Sequence, residues 1–468
     1  MNLVKQLIRR WGLLGGSLLL MVILFLGNAC TRSLPETVPI SAASRDTPIR
    51  VKGLASDEIW PHVFDQGDGS TKQDNRIAEW MRIEQQITGH TLIAGNQVEM
   101  LIDGPMTFEA MYEAMRNARH HIHLETYIFD DEELSRQFVD ILIARHRAGV
   151  EVRLVIDGYG ALQSDESVLD PLREAGVELF IYHPVAPFEL LRFWRINTRH
   201  HRKLLVVDGR VGFLGGINIS KVYASSSYTP GRVTKDQREG WRDTHLKVQG
   251  PIVAELQALF MAFWTENTQR PQMTDSAYFP NTPAEGQFIV RVASSMAADE
   301  AYEVYRTYRN AFAFARKTIW ITQGYFSPDQ AFLDALKAAA RRGVDVRLLL
   351  PGLTDSWITI SSSRAHYEEL LEAGVRIFER RDVLQHAKTA VIDGIWSLVG
   401  STNLDYRSFI HANDANLVIW SEAFAAQMER QFLDDQEKNH EITLSQWGER
   451  DWHRHLVEKF ASLFDYWL

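Results

Sequence analysis

The sequence predicts an α/β protein in which two similar α/β/α halves pack face to face around one site, preceded by an N-terminal membrane segment. Three observations lead there. A strand–helix–strand pattern recurs in the two halves of the chain. One block of His, Lys, Asp, Gly and Asn occurs twice, at matched positions of that repeat. A charge-free run, residues 11–29, follows a basic N-terminus. Composition fits a globular body: 468 residues, 45% hydrophobic and 24% charged. The balance of 50 basic and 60 acidic residues, net −10, argues against a nucleic-acid partner. A single cysteine excludes a disulfide framework or a Cys-rich metal site.

Lys5, Arg9 and Arg10 precede the apolar run, and Cys30 follows Gly27, Asn28 and Ala29. Residues 1–30 therefore read as a membrane anchor. It is either an uncleaved helix at the short limit for crossing a bilayer, or a lipoprotein-type signal that leaves lipid on Cys30. The basic flank places the body beyond the inner membrane, on the periplasmic or extracytoplasmic face of a bacterial cell. Residues 31–75, rich in Ser, Thr, Pro, Asp and Gly, read as a linker with little regular structure.

The repeat sets the rest. Ala118-Arg119 leads into a strand at Ile122, as Ala315-Arg316 does at Ile319. Helical segments follow in which Phe138 aligns with Phe332, Asp140 with Asp334 and Gly149 with Gly343. A glycine ending a helix before a β-branched run is a helix–turn–strand signal. Alternating strands and helices predict a mostly parallel sheet covered by helices. The first half spans residues 76–280 and the second 281–440, with the boundary in a Pro- and Thr-rich stretch. In the tail, residues 441–468, the spacing of Trp452, Leu456, Phe460 and Leu463 predicts a helix docked on the core.

The duplicated block carries the chemistry. It reads His201, Lys203, Asp208, Gly215, Gly216 and Asn218 in the first half, and His386, Lys388, Asp393, Gly400, Ser401 and Asn403 in the second. Chance produces one such block in roughly one chain in 10⁵, so two in register are inherited. His and Lys two apart on a strand share a face, so each half projects an imidazole beside an ammonium. Two Lys and two Asn (Asn218, Asn403) suit a tetrahedral phosphate. Two His supply a nucleophile and a general acid–base near neutral pH. Such imidazoles need a carboxylate to fix the tautomer, and Asp243 and Asp414 are the candidates, one in each half. Asp208 and Asp393 belong to the candidate catalytic blocks but are expected to hold the motif strands together.

These residues resemble the phospholipase D superfamily, whose hallmark is the duplicated HxKxxxxD, or HKD, motif. Within it, residues from about 80 to 468 resemble the bacterial cardiolipin synthases, notably at 197–220, 241–245, 341–352 and 386–408. Asp414 stands where that family often has Glu, Ala412 where Asn is common, and one anchor segment replaces two. The resemblance implies a phosphatidyltransferase acting on phosphatidylglycerol at a membrane. His201 would form a phosphatidyl-histidine and His386 would protonate the departing glycerol, then activate a hydroxyl of a second lipid. The reverse assignment of the two histidines stays open. Neither metal, nucleotide nor other cofactor is implied. The competing readings are a membrane-attached phospholipase D hydrolase or phosphodiesterase, and a non-catalytic lipid-binding protein.

Three weaker signals receive plain readings. Gly158-Tyr159-Gly160 begins like a dinucleotide turn, but Gln163 fills the third glycine position. His120, His121 and His123 lack a nearby cysteine or carboxylate pair in sequence and read as structural. Arg192, Arg195, Arg199 and Arg202 form an acid-free basic stretch that either faces an anionic lipid surface or packs partly into the core.

Overall fold

The computed structural model describes residues 33–35, 49–55, 58–64, 71–130, 133–161, 166–184, 197–228, 240–270, 275–297, 301–354 and 356–468. The charge-free run 11–29, Cys30, Gln163, Arg192 and Arg195 lie outside these residues. No helix among the described residues is long and apolar enough to cross a membrane. The chain divides into two compact units, Met1–Thr37 and Val38–Leu468, and the second holds all the elements described below.

In chain order the first elements are β1 (Val51–Lys52), α1 (Thr71–Thr88), β2 (Leu92–Ile102), α2 (Asp103–Arg116), β3 (His121–Thr126), α3 (Glu133–Arg147), β4 (Glu151–Asp157) and β5 (Glu178–Tyr182). β6 (Arg199–His200), β7 (Leu204–Val207), β8 (Val211–Gly215), β9 (Thr244–Gln249) and α4 (Val253–Thr268) follow. The pattern then repeats as β10 (Phe288–Ser295), α5 (Glu303–Phe314), β11 (Thr318–Thr322), β12 (Phe326–Ser327), α6 (Gln330–Arg341) and β13 (Asp345–Pro351). After α7 (Trp357–Ala365) and α8 (Tyr367–Glu372) come β14 (Arg376–Arg380), β15 (Thr389–Ile392), β16 (Trp396–Gly400), β17 (Leu404–Asp405) and α9 (Tyr406–Ile410). β18 (Ala412–Trp420), α10 (Glu422–Glu437), β19 (Asn439–Ile442) and α11 (Trp452–Ser462) complete the chain.

Both runs share one strand order. β3, β4 and β5 are parallel, while β7 runs antiparallel to β3 and continues through β8, β9 and β2. β11, β13 and β14 are likewise parallel, and β15 continues antiparallel from β11 through β16, β18 and β10. The sheet is therefore mixed, not mostly parallel. The cause is local: the β7–β8 and β15–β16 hairpins turn at Asp208-Gly209 and Asp393-Gly394, four residues with positive φ, which reverse the chain without a crossover helix. Gly149 and Gly343, at φ 90° and 87°, end α3 and α6 in the left-handed conformation a glycine adopts freely.

The two runs meet through β2–β10 and through β6, which lies parallel to β18. One buried apolar cluster includes Val206, Leu214, Leu246, Phe260 and Phe263 of the first run and Val391, Leu417, Ile419, Phe424 and Phe432 of the second. A second cluster packs α2 and α3 on the other face of the first sheet.

Three sequence expectations change here. Residues 49–55 and 58–64 are not an unstructured linker: Ile59 and Val63 are buried, and β1 pairs with β2. Apolar residues thinly spread among polar ones hid this. α1, expected in part to open the first half, packs on the second run, where Trp80 meets Phe314, Trp396 and Trp420 at 5.9, 6.0 and 4.8 Å. Its Glu84 pairs with buried Arg291 of β10 at 2.5 Å. The tail helix α11 does form, but its stripe points outward: Trp452, Leu456, Phe460 and Leu463 are 63, 57, 48 and 74% exposed. α11 instead rests on α7 through buried Ala461 and Glu458, the latter paired with Arg450 at 2.6 Å.

Candidate active site

Strand pairing between the two runs places the histidines. His201 lies between β6 and β7, and its backbone N–H donates to the Asn413 carbonyl at 2.8 Å. The His386 N–H donates to the Arg242 carbonyl, also at 2.8 Å. Each motif histidine is thus laid beside the residue preceding the other run's aspartate. Side chains follow the backbone. His201 Nδ1 lies 2.8 Å from Asp414 Oδ1, and His386 Nδ1 lies 2.7 Å from Asp243 Oδ2. Sequence placed one aspartate in each half, and the structure exchanges them between histidines.

A carboxylate can only accept, so Nδ1 of each ring carries the proton and Nε2 keeps its lone pair. Lys203 Nζ donates to the His201 carbonyl at 2.7 Å, and Lys388 Nζ to the His386 carbonyl. Asn218 Oδ1 accepts from the Ile128 N–H at 3.3 Å. Asn403 is buried, and its Oδ1 has no hydrogen-bond partner among the described residues.

The Gly-rich turns have a steric reason. A Cβ on Gly216 would come within 2.1 Å of Asp243 Oδ1. The matched position in the second run holds Ser401, whose hydroxyl donates to Asp414 Oδ1 at 2.6 Å. Asp208 and Asp393 point away from the imidazoles into backbone. Asp208 accepts from the N–H groups of Arg119, His120 and His121 at 2.8, 2.7 and 3.0 Å. Asp393 accepts from those of Arg316, Lys317 and Thr318, and from Arg76 of α1. Each aspartate ties a hairpin turn to the start of the neighbouring strand.

Sequence reasoning missed the rings around the imidazoles. Tyr127 meets His201 edge-on at 5.2 Å, with Lys203 Nζ 5.3 Å from its centroid. Aligning the repeats sets Tyr127 against Gly324, where a Cβ would lie 3.0 Å from Lys388 Nζ and 3.1 Å from His386 Cα. His386 is surrounded instead by Trp241 and Tyr325 at 5.3 and 5.9 Å, and the Tyr223 hydroxyl sits 2.9 Å from its Nδ1. That alignment was the available signal for the asymmetry.

Burial, reinforced by the Lys203 ammonium, lowers His201 to about 3. Burial and then Lys388 lower His386 to about 4. Burial also pulls Lys203 well below the usual amine range. Asp243 and Asp414 are buried, which alone would raise them. Together the hydrogen bond and charge of His386, the Lys388 charge and the Thr244 N–H outweigh this at Asp243, and the charge and hydrogen bond of His201 with Lys203 and Ser401 do so at Asp414, holding both below the usual carboxylate range. Lys388 acts on His201 and Lys203 acts on His386, so the four basic groups share one field.

The weaker signals resolve into structure. His121 and His123 are buried and joined through Gln257 at 3.2 and 2.8 Å; His123 does have a carboxylate neighbour, Glu151, at 3.3 Å. Gly158 and Gly160 begin a short helical turn, and a Cβ on Gly160 would strike the Tyr127 carbonyl. Arg199 and Arg202 are buried, with Arg199 3.4 Å from Asp157, so neither lies on a surface.

A family profile described as cardiolipin synthase, PLD-like domain, matches residues 111–264 and 308–436. The chain belongs to that family. Cardiolipin synthase of Halalkalibacterium halodurans is 34% identical over 82% of this chain and 74% of its own length. Cardiolipin synthase 2 of Bacillus anthracis is 35% identical over 78% of this chain and 70% of its own. Phosphatidylserine synthase of Haemophilus influenzae Rd KW20 superposes with a TM-score of 0.58 at 16% identity, over 82% of this chain and 97% of that one, which extends the shared fold. Within the cardiolipin synthase family, this chain retains both histidine–lysine blocks and pairs each histidine with an aspartate.

Proposed function

We propose that this cardiolipin synthase family member is a phosphatidyltransferase that joins two phosphatidylglycerol molecules into cardiolipin and glycerol at a bacterial membrane. The observation that carries the reading is the exchanged pair of His–Asp contacts, which makes one site from two halves packed face to face. His201 is the nucleophile. Its side chain is 14% exposed against 5% for His386, and only its Nδ1 side is engaged by Asp414. The Nε2 lone pair attacks phosphorus, the P–O bond to glycerol breaks, and the departing oxygen takes a proton from His386 Nε2. This leaves a phosphatidyl-histidine. His386 then removes a proton from a hydroxyl of the second phosphatidylglycerol, whose oxygen attacks phosphorus and releases His201.

The low resting position of His386 is compatible with its acid role. The phosphodiester anion lies against Lys203 and Lys388, offsets their charge, and raises His386 as it binds, so that the ring takes a proton from solvent onto Nε2, with Nδ1–H still on Asp243, and is the imidazolium when the P–O bond breaks. Lys203, Lys388, Asn218 and Asn403 stabilise charge on the equatorial oxygens. Asp243 and Asp414 hold the ring tautomers and the developing imidazolium. Asp208 and Asp393 act on the strands, outside the reaction. The rings around His386 limit water and favour a lipid hydroxyl over hydrolysis. The N-terminal run, as a helix or through lipid on Cys30, keeps the body on the extracytoplasmic face.

The test is product analysis. The purified chain is incubated with phosphatidylglycerol and the lipids are resolved by mass. Cardiolipin with stoichiometric glycerol is the expected result. Phosphatidic acid alone would make the protein a hydrolase, and no product would leave a lipid-binding role. Adding phosphatidylethanolamine to the same assay identifies the acceptor.

A further inference from the structure

The tail helix α11 presents an outward apolar stripe, and nothing among the described residues covers it. Six of the thirteen large hydrophobic side chains exposed among the described residues fall in 444–463, and a seventh, Trp357, starts the adjoining helix α7. At about 100° per residue, Trp452, Leu456, Phe460 and Leu463 occupy one face of α11. Lys459 falls on one side of that face and His453, whose ring is tilted against Trp452 at 3.7 Å, on the other. Of the acids nearby, Glu458 pairs with Arg450 and Asp465 with His366 at 3.0 Å, while Glu449 and Asp451 are exposed at the start of the helix, before the stripe. An outward stripe of Trp, Leu and Phe with Lys459 at its border suits an anionic lipid surface.

Position adds a second argument. α7 begins at the end of β13 that lies beside Gly324 and His386, since β11 and β13 are parallel. The tail is pinned there. Asp465 also accepts from Ser362 of α7, and Ser362 bonds Ser327 of β12. Tyr466 packs 5.8 Å from Tyr406, three residues after Asn403, and 5.3 Å from His411, whose carbonyl receives the Arg199 N–H next to the first motif. The C-terminal end of the stripe is therefore anchored to segments that adjoin both motif blocks.

We infer that α11, with Trp357, is a membrane-docking surface that seats the site mouth on an anionic phospholipid bilayer. This rests on the proposed action on phosphatidylglycerol, because a headgroup held in a bilayer reaches a buried histidine only if the mouth lies at the interface. The N-terminal segment would supply tethering, and α11 would supply orientation.

The experiment uses the full chain with Cys30→Ser and Leu456→Cys, labelled with a polarity-sensitive fluorophore, on phosphatidylglycerol vesicles carrying shallow doxyl lipids. A Met106→Cys label serves as the control. The 456 label is expected to shift blue and be quenched, and the 106 label is not. In unlabelled chain, Leu456→Asp with Phe460→Asp is expected to cut turnover of vesicular phosphatidylglycerol by about tenfold or more, leaving turnover of monomeric short-chain phosphatidylglycerol unchanged. An unquenched 456 label with turnover intact would overturn the docking surface and leave the proposed function standing. Quenching without turnover of either substrate would support docking and overturn the function. A blue shift that follows protein concentration without lipid would mean that a second copy covers the stripe, and would overturn the inference.

Discussion

Single residues decide the division of labour between the histidines, and a leaving-group experiment separates them. A phosphatidyl ester of p-nitrophenol needs no acid to expel its phenolate, so the first step then requires only the nucleophile. With this substrate His386→Ala is expected to release one equivalent of p-nitrophenol in a burst and then stall, because no base activates the acceptor. His201→Ala is expected to give no burst. The opposite pattern would reverse the two roles. The residues of these blocks were legible because they are local: His, Lys and Asn sit at fixed spacing on strand and turn, and duplication marks them as a set. The exchange of Asp243 and Asp414 was not, since it follows from strand pairing over more than 140 residues. Tyr223, Trp241 and Tyr325 were hidden for the same reason, and ordinary aromatics carry no spacing signal.

At the scale of elements, the tail is held by an ionisable clasp. Burial alone would lower His366, but hydrogen bonds to Asp465 of the tail and Glu369 of α8 outweigh it and raise it to about 9. The hydrogen bond from His366, and after it that from Lys337 of α6, holds Glu369 below the usual carboxylate range. In the unfolded chain the same histidine titrates near 6.5. Below that pH both states carry the proton and the clasp is fully present. Its contribution, on the order of 2–3 kcal/mol, declines as pH rises through 9. Hydrogen exchange in residues 463–468 is expected to show extra loss of protection, beyond base catalysis, between pH 7 and 10. His366→Gln should make that extra loss disappear; protection independent of His366 would refute the clasp. The same tail shows where sequence patterning reaches its limit. The i, i+4 spacing of Trp452, Leu456 and Phe460 identified a helix with an apolar face but not the direction of that face. Amphipathic periodicity reports that a stripe wants to leave water, and a core and a bilayer satisfy it equally. α1 makes a similar point, since its place on the second run depends on Trp80 and Glu84 finding partners more than 200 residues away.

For the whole molecule, duplication in sequence does not mean independence in folding. The main apolar cluster runs through both copies, and α1 and the β2–β10 pairing cross between them. The firmest polar link is Arg242, buried at 1% exposure, whose guanidinium bonds Asp435 of α10 at 2.7 to 3.0 Å. The same guanidinium donates to the Asp243 carbonyl and to the Thr244 hydroxyl, so it fixes the strand that orients His386. Removing the Asp435 charge leaves buried Arg242 with the more distant Asp103 carboxylate, at 3.8 Å, at a cost of up to roughly 3–5 kcal/mol. Urea unfolding followed by both fluorescence and circular dichroism is therefore expected to be one coincident transition. Asp435→Asn should shift that whole transition to lower urea without splitting it. The variant should also lose kcat at temperatures where it stays folded, because Asp243 is no longer held against His386. Replacing both partners, Arg242→Met with Asp435→Leu, should return most of the stability but not the kcat, since an apolar pair fills the space without gripping the Asp243 carbonyl. Two separate transitions, or kcat restored along with stability, would show that the halves fold independently and that the ion pair serves stability alone.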